Sequence, residues 1–192
     1  MDIQEIIDIL NIKRKSKKAK LLRMLQKPVG YIMRRIRRDS FMEGSWYGND
    51  TVWRTILDLN SIMMYADKHG KLHNEVQRKY AVFVDGIIAG EGEGPLVPTP
   101  KKCGIIAMGW CPVVVDSVMA VVSGFDFEKI PLIRNGFRMK NYQICKVAPI
   151  EIKIHSNWSV LDGKGIYDVS RKASLKFQPT SGWSVLQNNV SK

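Results

Sequence analysis

The sequence predicts an α/β domain, a small mixed sheet flanked by helices and preceded by a basic helical arm. Three observations predict it. The apolar run Ala81 to Val84 stops at Asp85 and enters a glycine-rich segment, as a buried strand entering a loop does. Two stretches, residues 51–66 and 112–123, repeat their apolar residues with helical period. Ile150, Ile152 and Ile154 alternate with Glu151 and Lys153, the pattern of a strand with one wet face. At 192 residues and 45% hydrophobic composition, the chain supports one sizeable core and is too apolar for general disorder.

The arm, residues 1–43, comes first. Ile3, Ile6, Ile7 and Leu10 form one face of a short amphipathic helix, and from Leu21 to Ile36 a second apolar stripe continues, interrupted near Pro28 and Gly30. The net charge of +12 is local to it: Lys13 to Arg38 holds twelve Lys or Arg and no acid, and the rest balances eighteen bases against eighteen acids. Residues 44–192 form the α/β domain. Asn49 or Asp50 caps a helix bearing Val52, Trp53, Ile56, Leu57, Leu59, Ile62 and Met63, and Asp67 to Gly70 ends it. Strand 80–85 follows, then an acidic glycine-rich loop. The three prolines of residues 95–100 exclude regular structure and predict a stiff extended connector. A second strand is predicted at 104–109, and Pro112 opens a helix that Gly124 stops. Residues 127–138 predict a short helix with Pro131 in its first turn, and 150–154 a third strand. Beyond Trp158 the pattern weakens.

Several function classes are excluded or disfavoured. Cys103, Cys111 and Cys145 form no close pair in sequence, so neither a disulfide framework nor a four-thiolate metal site is indicated. No stretch reaches the roughly 18 to 20 apolar residues of a membrane span, and no secretory signal opens the chain; a cytoplasmic protein is expected. There is no Gly-x-Ser-x-Gly elbow, dinucleotide fingerprint or phosphate-binding P-loop. His69 and His73 have helical metal-pair spacing, but Gly70 lies between them and no third ligand is near.

The candidate catalytic centre is a set of carboxylates, Asp85, Glu91, Glu93 and Asp116. The first three lie within nine residues of a segment whose glycines, Gly92 and Gly94 among them, let a ligand approach the main chain. Such a set suits a divalent cation such as Mg²⁺ or Ca²⁺, or a polar substrate with one carboxylate as general base. The bland alternative is a solvated turn whose acids cap local amides. Asp116 sits in the first turns of the valine helix, where a carboxylate is either costly or a partner for the helix N-terminus. A second candidate set, Asn49, Asp50, Thr51 and Arg54, combines a helix N-terminus with an arginine and could hold a phosphate or carboxylate; ordinary capping with an Asp50–Arg54 pair explains it as well.

Gly48-Asn-Asp-Thr-Val-Trp-Arg54-Thr, Leu57-Asp-Leu-Asn60, Tyr65-Ala-Asp67, Val84-Asp-Gly-Ile87, Gly90-Glu-Gly-Glu-Gly-Pro95, Pro98-Thr-Pro100, Pro112-Val-Val-Val-Asp116 and Gly124-Phe-Asp126 occur in this order. Together they resemble the microbial family known as domain of unknown function 362, over about residues 44–138. Phe177-Gln-Pro179 and Gly182-Trp183 look like that family's closing segment. The resemblance implies an incomplete domain, the C-terminal half of a longer α/β unit. Some members carry ferredoxin-type iron–sulfur modules built on closely spaced cysteines; the cysteines here are 8 and 34 residues apart, so no cluster is expected.

The expected function is a ligand- or divalent-metal-binding portion of an unassigned enzyme family. The alternative is a non-catalytic assembly or membrane-surface subunit acting through its basic arm. Expected partners are a second copy or a separately encoded N-terminal half, with peripheral contact to anionic membrane possible through the arm. Tyr31 is the one aromatic residue in the basic stretch 13–38, which disfavours sequence-specific nucleic-acid binding.

Overall fold

The computed structural model describes residues 46–95, 97–169 and 174–187, and the arm predicted over 1–43 lies outside them. Helix α1, Val52–Tyr65, starts where Asn49 Oδ1 accepts the amides of Thr51 (2.9 Å) and Val52 (3.4 Å). Leu57, Ser61, Met64 and Tyr65 are buried, a spacing that puts all four on one face. The Tyr65 hydroxyl donates to the Gln143 carbonyl at 2.8 Å, so the buried ring keeps a partner for its polar end.

Two long strands follow, β1 (Val82–Glu93) and β2 (Val97–Gly109), paired antiparallel from Val82↔Gly109 to Glu93↔Val97. This corrects two expectations. The acidic glycine-rich segment is the second half of β1, because the chain returns alongside it and the inward-facing backbone groups pair across the ladder. The stretch predicted as an irregular connector is the start of β2. Pro98 and Pro100 are two residues apart, so both turn their missing N–H toward the outer edge, where no ladder bond is lost. The register slips between Gly86 and Ile88, and Gly104 at φ +66° takes the extra residue on β2 as a bulge.

Helix α2, Pro112–Ser123, has Pro112 in its first turn and ends at Gly124, whose φ of +96° is open to glycine at little cost. It packs on the inner face of the hairpin at close range: a Cβ on Gly109 would lie 2.5 Å from Val115 Cγ2. A 3-10 turn, Phe127–Lys129, leads into α3, Pro131–Arg138. Gly136 lets α3 approach both neighbours, since a Cβ there would meet Val113 Cγ2 at 2.8 Å and Leu57 Cδ2 at 3.6 Å. The core joins Leu57, Met64 and Tyr65 of α1, Val113 and Ala120 of α2, and Ile133 of α3 to Phe127, Ile144, Cys145, Ile152 and Ile166.

The strand predicted at 150–154 does not form. Pro149–Glu151 is a 3-10 turn, fixed by the Glu151 carboxylate accepting the Ala148 amide at 2.8 Å, and a single bridge joins Lys153 to Gly165. Ile152 and Ile154 are buried as the alternation predicted, but Ile150 is 76% exposed. The sheet among the described residues is therefore the two-stranded hairpin. Among them, no helix is long and apolar enough to cross a membrane. The last segment lies along the end of α2, with the amides of Leu175 and Phe177 donating to the carbonyls of Val122 and Ser123, each at 2.8 Å.

Candidate functional site

The far end of the hairpin is laced to the closing segment. Glu91 Oε2 accepts both the Lys101 ammonium (2.7 Å) and the Gln178 amide (3.0 Å), while the Gly92 amide donates back to the Gln178 carbonyl at 2.9 Å. Two residues on, Glu93 accepts the Ser181 amide at 2.8 Å and its hydroxyl at 3.3 Å. Lys101 also reaches the Lys176 carbonyl (3.4 Å) and sits 5.1 Å from the centre of the Phe177 ring. The lysine and the Gln178 amide hold the Glu91 carboxyl below its usual range, so it is ionised at neutral pH.

Between these strands and the closing segment runs a cleft of about 360 Å³. Gly90, Glu91, Gly92 and Gly94 form one wall, and Phe177 to Thr180 with Trp183 and Leu186 form the other; Phe125 and Ile130 complete it. Glycine is required at Gly92, whose φ is +79°, and Gly90 passes within 2.9 Å of Pro98 as measured from a Cβ built on it. Tyr47 braces the far wall: its amide donates to the Gly182 carbonyl, its hydroxyl to the Lys129 carbonyl, and its ring meets Trp183 edge-on at 5.4 Å. Thr180 Oγ1 is buried in that wall with no hydrogen-bond partner, a costly arrangement unless something supplies one.

The four candidate carboxylates are not gathered in this cleft. Glu91 lines it and Glu93 anchors Ser181 beside it, but neither Asp85 nor Asp116 is part of its lining. Asp85 lies on the open face of the hairpin and accepts the Ile87 amide at 3.2 Å next to the bulge. Asp116 stands on the outer side of α2, and desolvation by the surrounding protein pushes its carboxyl above the ordinary range. Among the described residues, no three His, Cys, Asp or Glu side chains are arranged to hold a metal ion.

The raised Asp116 fixes a sign. Its folded form favours the proton, so its contribution is full below the ordinary 3.8 and is lost as pH rises through the folded value. Asp116→Asn is therefore expected to raise the melting temperature at pH 7 and to melt like the parent below pH 3.8. A lower melting temperature at pH 7 would show that the carboxylate makes a favourable contact.

The second candidate set does come together. Asp50 Oδ2 pairs with Arg54 at 2.9 Å, Asp50 Oδ1 accepts the Trp53 indole N–H at 3.0 Å, and the guanidinium lies 4.4 Å above the Trp53 ring. With Asn49 on the Thr51 and Val52 amides, these groups satisfy one another on an exposed surface. His73 pairs with Asp67 at 2.9 Å, and Asp67 also accepts the amides of His69 and Lys71, which closes the turn after α1.

The family model described as domain of unknown function (DUF362) matches residues 15–121. The chain belongs to this family. The DUF362 span begins inside the basic segment and ends within α2, so it contains the hairpin wall of the cleft while the wall from Phe177 to Leu186 lies beyond it. No curated protein and no solved structure matches the chain.

Sequence reasoning found the glycine-rich wall and missed Lys101, Gln178, Thr180 and Tyr47. The available signal was the pair of aromatic-containing motifs, Phe177-Gln-Pro179 and Gly182-Trp183, far along the chain from the acids they meet.

Proposed function

We propose that this chain is the ligand-binding portion of an unassigned enzyme of the DUF362 family, and that its ligand occupies the cleft between the end of β1 and the closing segment. Supporting this most directly is the Thr180 hydroxyl, buried in a mostly apolar wall and lacking a partner. Pockets of this size and character, apolar with a few fixed polar groups, are the default binding sites of small molecules. The occupant is a small ring-bearing molecule with one hydrogen-bonding group directed at Thr180. Glu91 meets it as an already neutralised pair with Lys101, so a divalent cation would have to displace that ammonium.

Saturation-transfer NMR with phenol- and indole-type fragments tests the reading. Fragments are expected to bind the parent protein, to lose contact in Trp183→Ala, and to weaken several-fold in Thr180→Val, which keeps the shape and removes the hydroxyl. Binding indifferent to both substitutions would refute it. A melting response to Mg²⁺ or Ca²⁺ in the parent that vanishes in Glu91→Ala would instead assign the cleft to a cation.

A second reading, an assembly subunit, draws on the opposite face of the hairpin. Phe83 and Met108 are cross-strand partners, Ile106 lies two residues from Met108, and Trp110 follows; they are 71%, 55%, 66% and 71% exposed. An exposed apolar patch of this kind, with Asp85 opposite Ile106, favours a second copy or a separately encoded half. Sedimentation as a monomer at micromolar concentration contradicts this reading. Co-sedimentation with anionic liposomes, lost on deleting residues 13–38, would instead assign the basic segment to a membrane surface.

A further inference from the structure

Cys111 and Cys145 are 34 residues apart in sequence and close together in the fold. Cys111 is the residue from which α2 springs, directly after the hairpin; Cys145 lies in the loop beyond α3 and is 5% exposed. Cys111 Sγ is 3.6 Å from the carbonyl oxygen of Ile144, the residue before Cys145, and Cys145 Sγ is 3.5 Å from that of Val147. Cys111 packs against the buried cluster that contains Cys145. Cys111 is half-buried and reachable from solvent, whereas Cys145 belongs to the buried core. Cys103, the remaining thiol, sits on β2.

We propose that Cys111 and Cys145 form a reversible dithiol–disulfide site, in which Cys111 attacks hydrogen peroxide first and Cys145 resolves the product. The Cys111 thiolate displaces hydroxide from the peroxide: an S–O bond forms, the O–O bond breaks, and the hydroxide takes up a proton to leave as water. Cys145 sulfur then attacks the Cys111 sulfenic acid. The S–S bond forms, the S–O bond breaks, and the hydroxyl leaves as a second water with the Cys145 proton. Two thiols lose two electrons and the peroxide gains them.

The electrostatics divide the roles in the same way. The Cys145 thiol beside it and the free amides of Val113 and Val114 at the start of α2 bring Cys111 down from 9.0 to about 7, against desolvation and the charge of Asp116. Cys145 is pushed up by its contact with Cys111 and by burial. Cys111, at the solvent-reachable start of α2, therefore reacts first, and the buried Cys145 resolves it. The bond would fasten the hairpin–α2 junction to the loop after α3.

The test treats the reduced full-length protein with micromolar hydrogen peroxide, removes the peroxide, unfolds the protein in the presence of N-ethylmaleimide to block every free thiol, and maps the peptides by mass spectrometry. The expected result is loss of two of the three alkylatable thiols, a peptide pair joined through Cys111 and Cys145, Cys103 still alkylated, and full recovery with dithiothreitol. In Cys145→Ser the joined pair is absent and dimedone captures a sulfenic acid at Cys111. A link through Cys103, or Cys111 going to sulfonic acid with Cys145 still alkylated, or all three thiols surviving a dose that oxidises free glutathione, overturns the proposal. The wild-type experiment decides it even if the variant folds poorly.

Discussion

Replacing Phe127 by alanine is expected to cost about 3 to 5 kcal/mol of folding stability, the range for deleting a buried aromatic ring whose site collapses only in part. Phe127 is 5% exposed, and its ring packs against those of Phe137 at 6.4 Å and Tyr167 at 5.6 Å. Its position gives the loss a functional reach. The 3-10 turn it anchors runs between Phe125 and Ile130, both of which line the cleft, and its Lys129 carbonyl receives the Tyr47 hydroxyl that braces the opposite wall. Equilibrium unfolding in urea measures the effect, with a control at the exposed Val185. A loss below about 1 kcal/mol, typical of a surface position, would mean that the turn is not held by its aromatic contacts.

The helices were legible because their signals are local. Pro112 at a first turn, Gly124 just past the end, and Asn49 ahead of Val52 each act within a few residues, and the structure starts and stops α1 and α2 there. The hairpin was legible only in its apolar half, Val82 to Asp85 and Gly104 to Gly109. Its far half is glycine and acid facing proline, residues with poor intrinsic strand preference, and it extends because pairing across the ladder outweighs that preference. At Ile150 the opposite happened: the alternation was real, but among the described residues no strand lies alongside to complete it, and Pro149 took the chain into a turn.

The candidate site was legible to the same degree. Glu91 and its glycines could be singled out from spacing, but the groups that give Glu91 its role lie 10 residues away at Lys101 and 87 away at Gln178, and no periodicity links them. Cys111 and Cys145 were set aside for the same reason. A 34-residue gap in sequence says nothing about which loops a helix junction brings together.

Glu91→Gln is expected to loosen the closing segment at neutral pH and to lose that effect in acid. Glutamine keeps the size of the side chain, and its carbonyl can still accept the Gln178 amide, but it brings no charge to the Lys101 ammonium and can turn an NH₂ toward it. The folded carboxyl is depressed below the ordinary 4.5, so its contribution is complete above 4.5 and fades as pH falls through the folded value. Parent and variant should therefore differ in melting temperature at pH 7 and converge toward pH 3. Hydrogen exchange separates this from a general weakening: amides of residues 176–187 should exchange several-fold faster in the variant, while those of α1 and α2 keep their parent rates. Equal melting at pH 7 with unchanged exchange would place the Lys101–Glu91 pair among ion pairs that water and salt screen to little effect. The wall of the cleft would then rest on Trp183 and Tyr47, and fragment binding would survive Glu91→Gln while still failing in Trp183→Ala.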